Sequence, residues 1–270
     1  MPLVSVLLAV RDGAAYLREA VASVLFQSLQ DLELVVVDDA STDATAEVLA
    51  SFEDPRLTVL RNEEQQGLAR SLNLALDRVQ GDWVARLDAD DVALPLRLET
   101  QLQRARADGL AIVGSSILEL DAVGSPGRFH PMPRTPHEVR WHGLFSSPFF
   151  HPSVLVDRRL LERHELRYDV EYTESEDYDL WMRLLRHAEG ANTAEPLVLY
   201  RVHERQATKR RREVQRDFQR EVALREIAAV LPDFTTEEAE AAWLLGSGEG
   251  LGSAEAFEPV SYTHLTLPTN

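Results

Sequence analysis

Cysteine is absent from the 270 residues of the chain. Disulfide bonds, thiolate metal sites and cysteine nucleophiles are therefore excluded, and the absence of cystine suits a reducing compartment. No apolar run approaches the roughly 20 residues that span a bilayer, and Met1 and Pro2 lead into an apolar segment without a basic leader. Acidic residues outnumber basic ones, and the formal net charge of −17 argues against a general nucleic-acid binder. These absences predict a cytoplasmic protein that contacts a membrane at most peripherally.

Short apolar runs alternate with helical patterns in the first 90 residues. Four runs are typical of strands, and the first two are ended by polar turn residues. They are Leu3 to Val10, Leu32 to Val37, Leu57 to Leu60 and Trp83 to Leu87. Apolar residues at steps of three and four predict helices between them, for example from Leu68 to Val79. The alternation predicts an α/β fold with a mainly parallel, Rossmann-like sheet flanked by helices.

The regular alternation loosens after Gly109. Strands are predicted at Ala111 to Leu120, Ser153 to Val156 and Leu197 to Val202, a hairpin turn at Val123 to Gly127, and an amphipathic helix at Tyr178 to Ala188. Charged residues dominate a long helical pattern from Glu204 to Leu231. We therefore divide the chain into a catalytic-sized domain at residues 1–205, a helical extension at 206–259, and a tail at 260–270 that is expected to be non-native or disordered.

Carboxylates follow two of the predicted strands. Asp88, Asp90 and Asp91 come directly after the fourth strand, and Asp38 and Asp39 end the second. Ligands of an open parallel sheet bind beyond the carboxyl ends of its strands, so both groups are expected to share one cleft. Three carboxylates within four residues repel one another unless something positive compensates them, which favours a metal site. The structural alternative is that Asp88 or Asp91 caps the helix that follows.

Taken in order, these motifs resemble those of the family 2 glycosyltransferases of the GT-A fold. The family has a Val-Asp-Asp-x-Ser-x-Asp-x-Thr segment, an Asp-x-Asp turn and a later Glu-Asp pair. The corresponding residues here are Val37 to Thr45, Asp88 to Asp90, and Glu176 with Asp177, within a resemblance that covers about Leu3 to His203. It implies inverting transfer of a sugar from a nucleotide diphosphate sugar, with a UDP-sugar favoured, to a glycan or lipid-linked acceptor. Bacterial surface glycan or glycolipid synthesis is the expected setting.

The resemblance also implies roles on the donor side. Asp39, with Asp38 as the weaker candidate, would bind the base of the nucleotide, although Asp39 could instead cap the helix that follows. Asp90 would ligate Mg²⁺ or Mn²⁺, between which the sequence does not choose, and Asp88 would contact the ribose or the waters of the metal. Asp91 is expected to be a solvated carboxylate at the start of a helix.

On the acceptor side, the resemblance makes Asp177 the candidate general base and Glu176 a residue that orients the acceptor. Acids here also suit the start of a helix, which is the structural alternative. His151 resembles an acceptor-side histidine, yet a packed histidine would satisfy the same pattern. His203 resembles a late histidine that meets the metal or the diphosphate, and a surface histidine is the alternative. Arg70 could assist nucleotide binding, although a solvated helix arginine is commoner.

Two features leave other functions open. Arg11 and Asp12 stand where relatives often have Tyr-Asn, so Arg11 would have to replace an aromatic partner of the base. A metal-dependent phosphohydrolase would want a nucleophilic aspartate after the first strand, near Asp12, and a catalytically silent nucleotide-sugar-binding protein is the third alternative. The basic patch from Lys209 to Arg212 could meet anionic lipid at a membrane or be a solvated helix face.

Overall fold

The computed structural model describes residues 1–203 and 212–248. Its strands are β1 Val4–Val10, β2 Leu32–Asp38, β3 Leu57–Arg61, β4 Trp83–Arg86, β5 Val92–Ala93, β6 Ile112–Asp121, β7 Pro126–His130, β8 Leu155–Asp157 and β9 Gly190–Val202. Its helices are α1 Leu17–Leu25, α2 Thr45–Ala50, α3 Leu68–Leu76, α4 Arg97–Asp108, α5 Pro136–His142, α6 Arg158–Arg163, α7 Glu176–Leu185, α8 Arg212–Val230 and α9 Thr236–Ser247. The predicted α/β class is confirmed.

One mixed sheet connects the strands in the order β3-β2-β1-β4-β8-β6-β9-β5, and β7 pairs with β6. The first four strands are parallel, as predicted: Val6 of β1 pairs with Leu34 on one side and with Ala85 on the other. Strand β8 reverses the direction, because Val156 pairs antiparallel with Val84 of β4. Strands β6 and β9 return to the direction of β4 and run parallel to each other.

Helices cover both faces of the sheet, because successive side chains of a strand point to opposite sides. Val6 and Leu8 of β1 pack with Leu17 of α1 and Leu98 of α4 on one face. On the other face the core joins β1, α3 and α7, and its buried members include Leu7, Leu72, Trp181 and Leu184. The parallel strands are thus enclosed on both sides, which explains why they are nearly continuous apolar runs.

Several element limits differ from the predictions. The helix predicted to reach Val79 ends at Leu76, and the helix predicted from Tyr178 begins earlier, at Glu176. The last strand begins at Gly190 rather than at Leu197, because a long β6 offers it a partner along its length. The predicted hairpin turn is confirmed, with the Asp121 N–H donating to the Ser125 carbonyl (2.9 Å).

The C-terminal helices pack on the sheet domain. Val222 of α8 is fully buried in the core that contains Trp181 of α7. Trp243 of α9 donates its ring N–H to the Phe145 carbonyl (3.2 Å). The predicted division into domain, extension and tail stays a prediction. The described residues do not include the boundary at residues 205 and 206, the tail at 260–270 or most of the basic patch. Among the described helices, none has the length and apolar character needed to cross a bilayer.

Candidate active site

Three carboxylates meet in the turn after β4. Asp88, Asp90 and Asp91 each offer one oxygen, and these oxygens lie within 4.8 Å of one another. The turn forms because Leu87 still donates its N–H to the Leu7 carbonyl (3.0 Å), after which the Asp91 N–H closes back onto the Asp88 carbonyl (3.3 Å). Clustered carboxylate oxygens are the ligands that Mg²⁺ and Mn²⁺ accept. The predicted grouping of Asp88 with Asp90 is therefore present in the structure.

Asp91 was expected to be a solvated carboxylate, and that expectation is wrong. Its side chain is fully buried, and its Oδ1 accepts the backbone N–H of Arg201 (2.8 Å). Burial, followed by repulsion from Asp88 and Asp90, raises the pKa of Asp91 well above its usual value. The N-cap position of α4 is Leu96, without a side-chain hydrogen bond, so neither Asp88 nor Asp91 caps that helix.

Arg201 fixes the acidic turn from the other side, a structural role that was not predicted from the sequence. Its guanidinium donates to the Asp90 carbonyl (2.8 Å) and to the Asp121 carbonyl (3.2 Å), and it pairs with Glu19 (2.5 Å). The guanidinium carbon also lies 4.5 Å from the centre of the Tyr16 ring. The available signal was that Arg201 stands two residues before His203 in the sequence. Arg201 therefore connects the turn to β9 and α1.

His203 lies beside Asp90. Its Nε2 is 2.9 Å from Asp90 Oδ2, and its ring centre is 5.1 Å from that of Tyr16. Only 13% of the histidine side chain is exposed, which does not fit the surface alternative. Burial and the neighbouring Asp88 raise the pKa of Asp90, and His203 opposes that rise. Asp90 and His203, two of the three residues predicted to meet the metal, are thus neighbours.

Two buried arginines compensate part of the negative charge, which weakens the inference that the cluster needs an external cation. The Arg86 guanidinium forms an ion pair with Asp88. Arg97 is also buried and donates to the carbonyls of Arg86 (2.7 Å) and Val154 (3.2 Å). In a strand and a helix of otherwise ordinary composition, nothing in the sequence marks either arginine as buried. Their charges allow the acids to stay together before any ion binds.

Asp39 anchors the loop between β3 and α3. It is buried, and its carboxylate accepts from the Asn62 side chain (2.7 Å) and from the N–H groups of Gln66 (2.7 Å) and Gly67 (2.9 Å). Asp39 does not cap the next helix. Asp38 accepts the Ser41 N–H (2.9 Å) and so forms the turn itself. Since a carboxylate can accept about four hydrogen bonds, Asp39 retains capacity for a donor from a ligand.

Arg11 and Asp12 bind the turn after β2. Arg11 donates to the carbonyls of Asp39 (2.8 Å) and Ala40 (3.3 Å), and Asp12 accepts the Thr42 N–H (2.7 Å) and hydroxyl (3.1 Å). The Asp12 carboxylate is thus engaged by Thr42, which does not favour it as a nucleophile. Arg70 is exposed on the first turn of α3, and within the described ranges its side chain has neither a hydrogen bond nor an ion pair.

The acceptor-side residues predicted from the sequence also come together. Glu176 and Asp177 begin α7, and Glu176 Oε1 lies 3.8 Å from Nδ1 of His151. The other ring nitrogen of His151 is 3.0 Å from the Tyr168 hydroxyl, and the ring packs edge-on against Trp181 at 5.9 Å. His151 is therefore packed, as the alternative expected, and adjacent to Glu176, while its acceptor-side role stays a prediction.

Burial gives the three groups different protonation states. It raises the pKa of Asp177 to about 6 and that of Glu176 to about 8, and the Arg86 guanidinium opposes both rises. Burial lowers the pKa of His151 well below its usual value, so the imidazole is neutral. Burial and mutual repulsion therefore favour a proton on this pair at neutral pH, with the pKa of Glu176 the more strongly raised of the two. Because Arg86 pairs with Asp88 and also acts on Asp177, it links the acids of β4 with those of α7.

The structure is an α/β fold with grouped carboxylates beyond the carboxyl ends of its parallel strands, and comparison with known proteins identifies the family. A family model described as glycosyl transferase family 2 matches residues 5–164, which is more than half of the chain. The chain therefore belongs to glycosyltransferase family 2. The match ends before Glu176 and Asp177.

Similar proteins agree with this assignment. The succinoglycan biosynthesis protein ExoO of Rhizobium meliloti (strain 1021) is 31% identical over 221 residues, which are 77% of this chain and 62% of ExoO. S. aureus TarS 1-349, solved with UDP-GlcNAc, has a TM-score of 0.73 at 19% identity. The match covers 92% of this chain and 73% of the TarS chain. The mannosyltransferase PcManGT from Pyrobaculum calidifontis, solved with GDP-Man and Mn²⁺, has a TM-score of 0.64 at 20% identity. The match covers 90% of this chain and 70% of the PcManGT chain. These two structures establish a shared GT-A fold.

Proposed function

We propose that the protein is an inverting, metal-dependent glycosyltransferase that moves a sugar from a nucleotide diphosphate sugar to an acceptor hydroxyl. The observation that carries the proposal is the grouping of two sets of acids around Arg86. One set is the turn of Asp88 and Asp90, and the other is the pair Glu176 and Asp177. A donor and an acceptor need separate acidic groups in one cleft, the first for the leaving group and the second for the attacking oxygen.

The donor would lie over the carboxyl ends of β1, β2 and β4. Asp39 would accept the imide N–H of a uracil or a similar base, with Asp38 holding the turn. Arg70 is exposed three residues after Gly67, whose N–H binds Asp39, and would meet the nucleotide from there. Asp88 would contact the ribose. We favour a UDP-sugar, and TarS 1-349 was solved with UDP and with UDP-GlcNAc, while PcManGT was solved with GDP-Man.

The metal ligands would be Asp90 and His203, with Asp88 as a further ligand or a partner of bound water. The two carboxylates and the imidazole form a donor set that suits Mg²⁺ or Mn²⁺, because oxygen dominates it and one nitrogen is present. A bound ion would neutralise the negative charge of the departing diphosphate. Asp91 and Arg201 would keep Asp90 in place without contacting the donor.

Asp177 would remove the proton from the acceptor hydroxyl. A base with a pKa near 6 is ionised at neutral pH and still accepts a proton readily, which suits this role. Glu176, protonated under the same conditions, would donate a hydrogen bond to the acceptor, and His151 would hold Glu176. The oxygen would attack the anomeric carbon opposite the leaving diphosphate, so the anomeric configuration would invert.

The acceptor would be a glycan or a lipid-linked glycan of the bacterial surface. The name of ExoO, a relative involved in succinoglycan biosynthesis, supports this setting. We place the reaction at the inner face of the cell membrane, where a peripheral contact could form. The basic patch on which that contact was predicted lies at residues 209–212, almost all outside the described residues.

The test is a screen of nucleotide diphosphate sugars with Mn²⁺ and Mg²⁺, scored by thermal stabilisation and then by release of nucleoside diphosphate. We expect a UDP-sugar to stabilise the protein only with metal and to be consumed when an acceptor is present. The matched control is Asp177→Asn, which should bind the donor equally and release no product. If the intact chain and Asp177→Asn both bind and neither consumes a nucleotide sugar, the protein is a binding module. Phosphate release from phosphomonoesters would instead favour a phosphohydrolase.

A further inference from the structure

The C-terminal helix α8 contacts the segment that leads into α7. The Tyr172 hydroxyl donates to Glu221 Oε1 (2.9 Å), and the Tyr172 ring lies 5.3 Å from that of Phe218. Three residues later, the Ser175 hydroxyl donates to the Gln215 carbonyl (3.3 Å). Two consecutive turns of α8 thus hold the chain immediately before Glu176 and Asp177.

A network of ion pairs fastens α8 to the body of α7. Asp179 is buried and accepts from Arg183 of its own helix (2.8 Å) and from Arg225 of α8 (2.6 Å). Arg225 also donates to Glu226 (2.8 Å), which accepts from Arg186 directly after α7 (2.6 Å). Buried charges of this kind are strongly destabilising when one partner is lost, so they fix the relative position of the two helices.

Ser175 has a backbone conformation that needs support. Its φ of 63° and ψ of 20° lie in the left-handed region, which a residue with a Cβ rarely adopts and which costs roughly 1 kcal/mol or more. The residue is buried and stands directly before Glu176. A strained residue persists where the surrounding contacts over-determine it, and the hydroxyl bond to α8 is one such contact.

We propose that α8 is a positioning element for the transfer reaction, and that Tyr172, Ser175 and Arg225 are positioning residues that aim Asp177 at the acceptor. The inference rests on the proposed function, in which Asp177 is the base. An error of about 1 Å in the position of a reacting group can lower a rate about a hundredfold. The donor-side acids come from β2 and from the turn after β4, so loosening α8 should change turnover and leave donor binding intact.

The test compares Ser175→Ala, Tyr172→Phe and Arg225→Met in the full-length chain. The control is Arg220→Met, which breaks an ion pair of the same type from the same helix, because Arg220 pairs with Glu240 of α9 rather than with α7. Arg225→Lys serves as the conservative rescue. Ser175→Ala and Tyr172→Phe each remove one hydroxyl, so they keep the proposal testable if Arg225→Met does not fold.

We expect kcat to fall about tenfold or more in the three test variants, while the donor Kd with Mn²⁺ stays within about twofold and Arg220→Met matches the wild type. Arg225→Lys should recover part of the rate. Equal kcat values in the test variants and in Arg220→Met, with Asp177→Asn inactive, would overturn the role of α8 and leave the proposed function standing. Turnover by Asp177→Asn would instead remove the base, and with it the premise of the inference.

Discussion

Replacing Asp177 by asparagine is expected to stabilise the protein while it abolishes transfer. Burial raises the pKa of Asp177 from 3.8 to about 6, so the folded protein holds the ionised carboxylate at neutral pH against a free-energy penalty. That difference corresponds to roughly 3 kcal/mol at about 1.4 kcal/mol per pKa unit. The side chain retains some solvent contact, and we therefore expect a gain of about 2 kcal/mol from the neutral amide.

The stability gain of Asp177→Asn depends on pH. A carboxyl group with a raised folded pKa makes the folded state bind more protons than the unfolded state, so stability falls as the pH rises from about 4 to about 6. The advantage of Asp177→Asn should be about half present at pH 5 and complete by pH 7. Glu176→Gln gives a comparison, because Glu176 has a pKa of about 8 and the same linkage predicts that the advantage of its neutral variant keeps growing up to about pH 8.

Urea denaturation at pH 5, 6, 7 and 8 would measure these free energies of unfolding. Thermal unfolding offers a second readout: with an unfolding entropy of about 2.1 cal/mol/K per residue, a gain of about 2 kcal/mol raises Tm by roughly 3 to 4 °C in a chain of 270 residues. A variant that is no more stable than wild type at pH 7, or whose advantage is the same at pH 5 and pH 8, would refute the reasoning.

Three further results are expected. Asp90→Asn should abolish the metal-dependent part of nucleotide binding, and a variant that keeps the full Mn²⁺-dependent gain in calorimetric affinity would exclude Asp90 from the metal site. The transfer rate should fall as the pH drops through about 6, because protonated Asp177 cannot accept a proton; a flat profile down to pH 5 would assign the base elsewhere. Gly81→Ala should lower the free energy of unfolding by about 2 kcal/mol, since the added Cβ would lie 2.7 Å from the Ser5 backbone nitrogen, and an unchanged urea midpoint would contradict this.

The parallel half of the fold could be predicted because its determinants are local. Each of the first four strands is an apolar run, and the acids that end β2 and precede β5 mark the carboxyl ends of strands. The resemblance to the family supplied the later Glu176 and Asp177, which no local pattern distinguishes from helix-start acids. The structure places Asp88 and Asp177 close enough to Arg86 to feel its charge, although the roles of both acids stay predictions.

The contacts that were missed join residues far apart in the chain. Asp91 looked like an exposed helix-start acid because its partner, the backbone N–H of Arg201, is 110 residues away. Arg86 and Arg97 looked like ordinary polar positions, and only the packing of β4 against α4 buries them. The contacts of α8 with Tyr172, Ser175 and Asp179 could not be inferred from the sequence either, since a helix rich in charges is usually solvated.

The reversed strand β8 has a consequence for how specificity can diverge. Because β8 runs against β4, the residues that precede it, and not those that follow it, reach the rim where β4 ends; the Arg86 N–H donates to the Val154 carbonyl there (3.2 Å). The connection entering β8 carries His151 to that rim; its buried residues Phe149 and Ser153 anchor it there, and its partly exposed residues 144–147 are where it can vary without moving a strand. Under the proposed function, in which His151 lies on the acceptor side, a change in this loop would alter the acceptor site and leave the parallel strands that carry Asp39 and Asp88 in place.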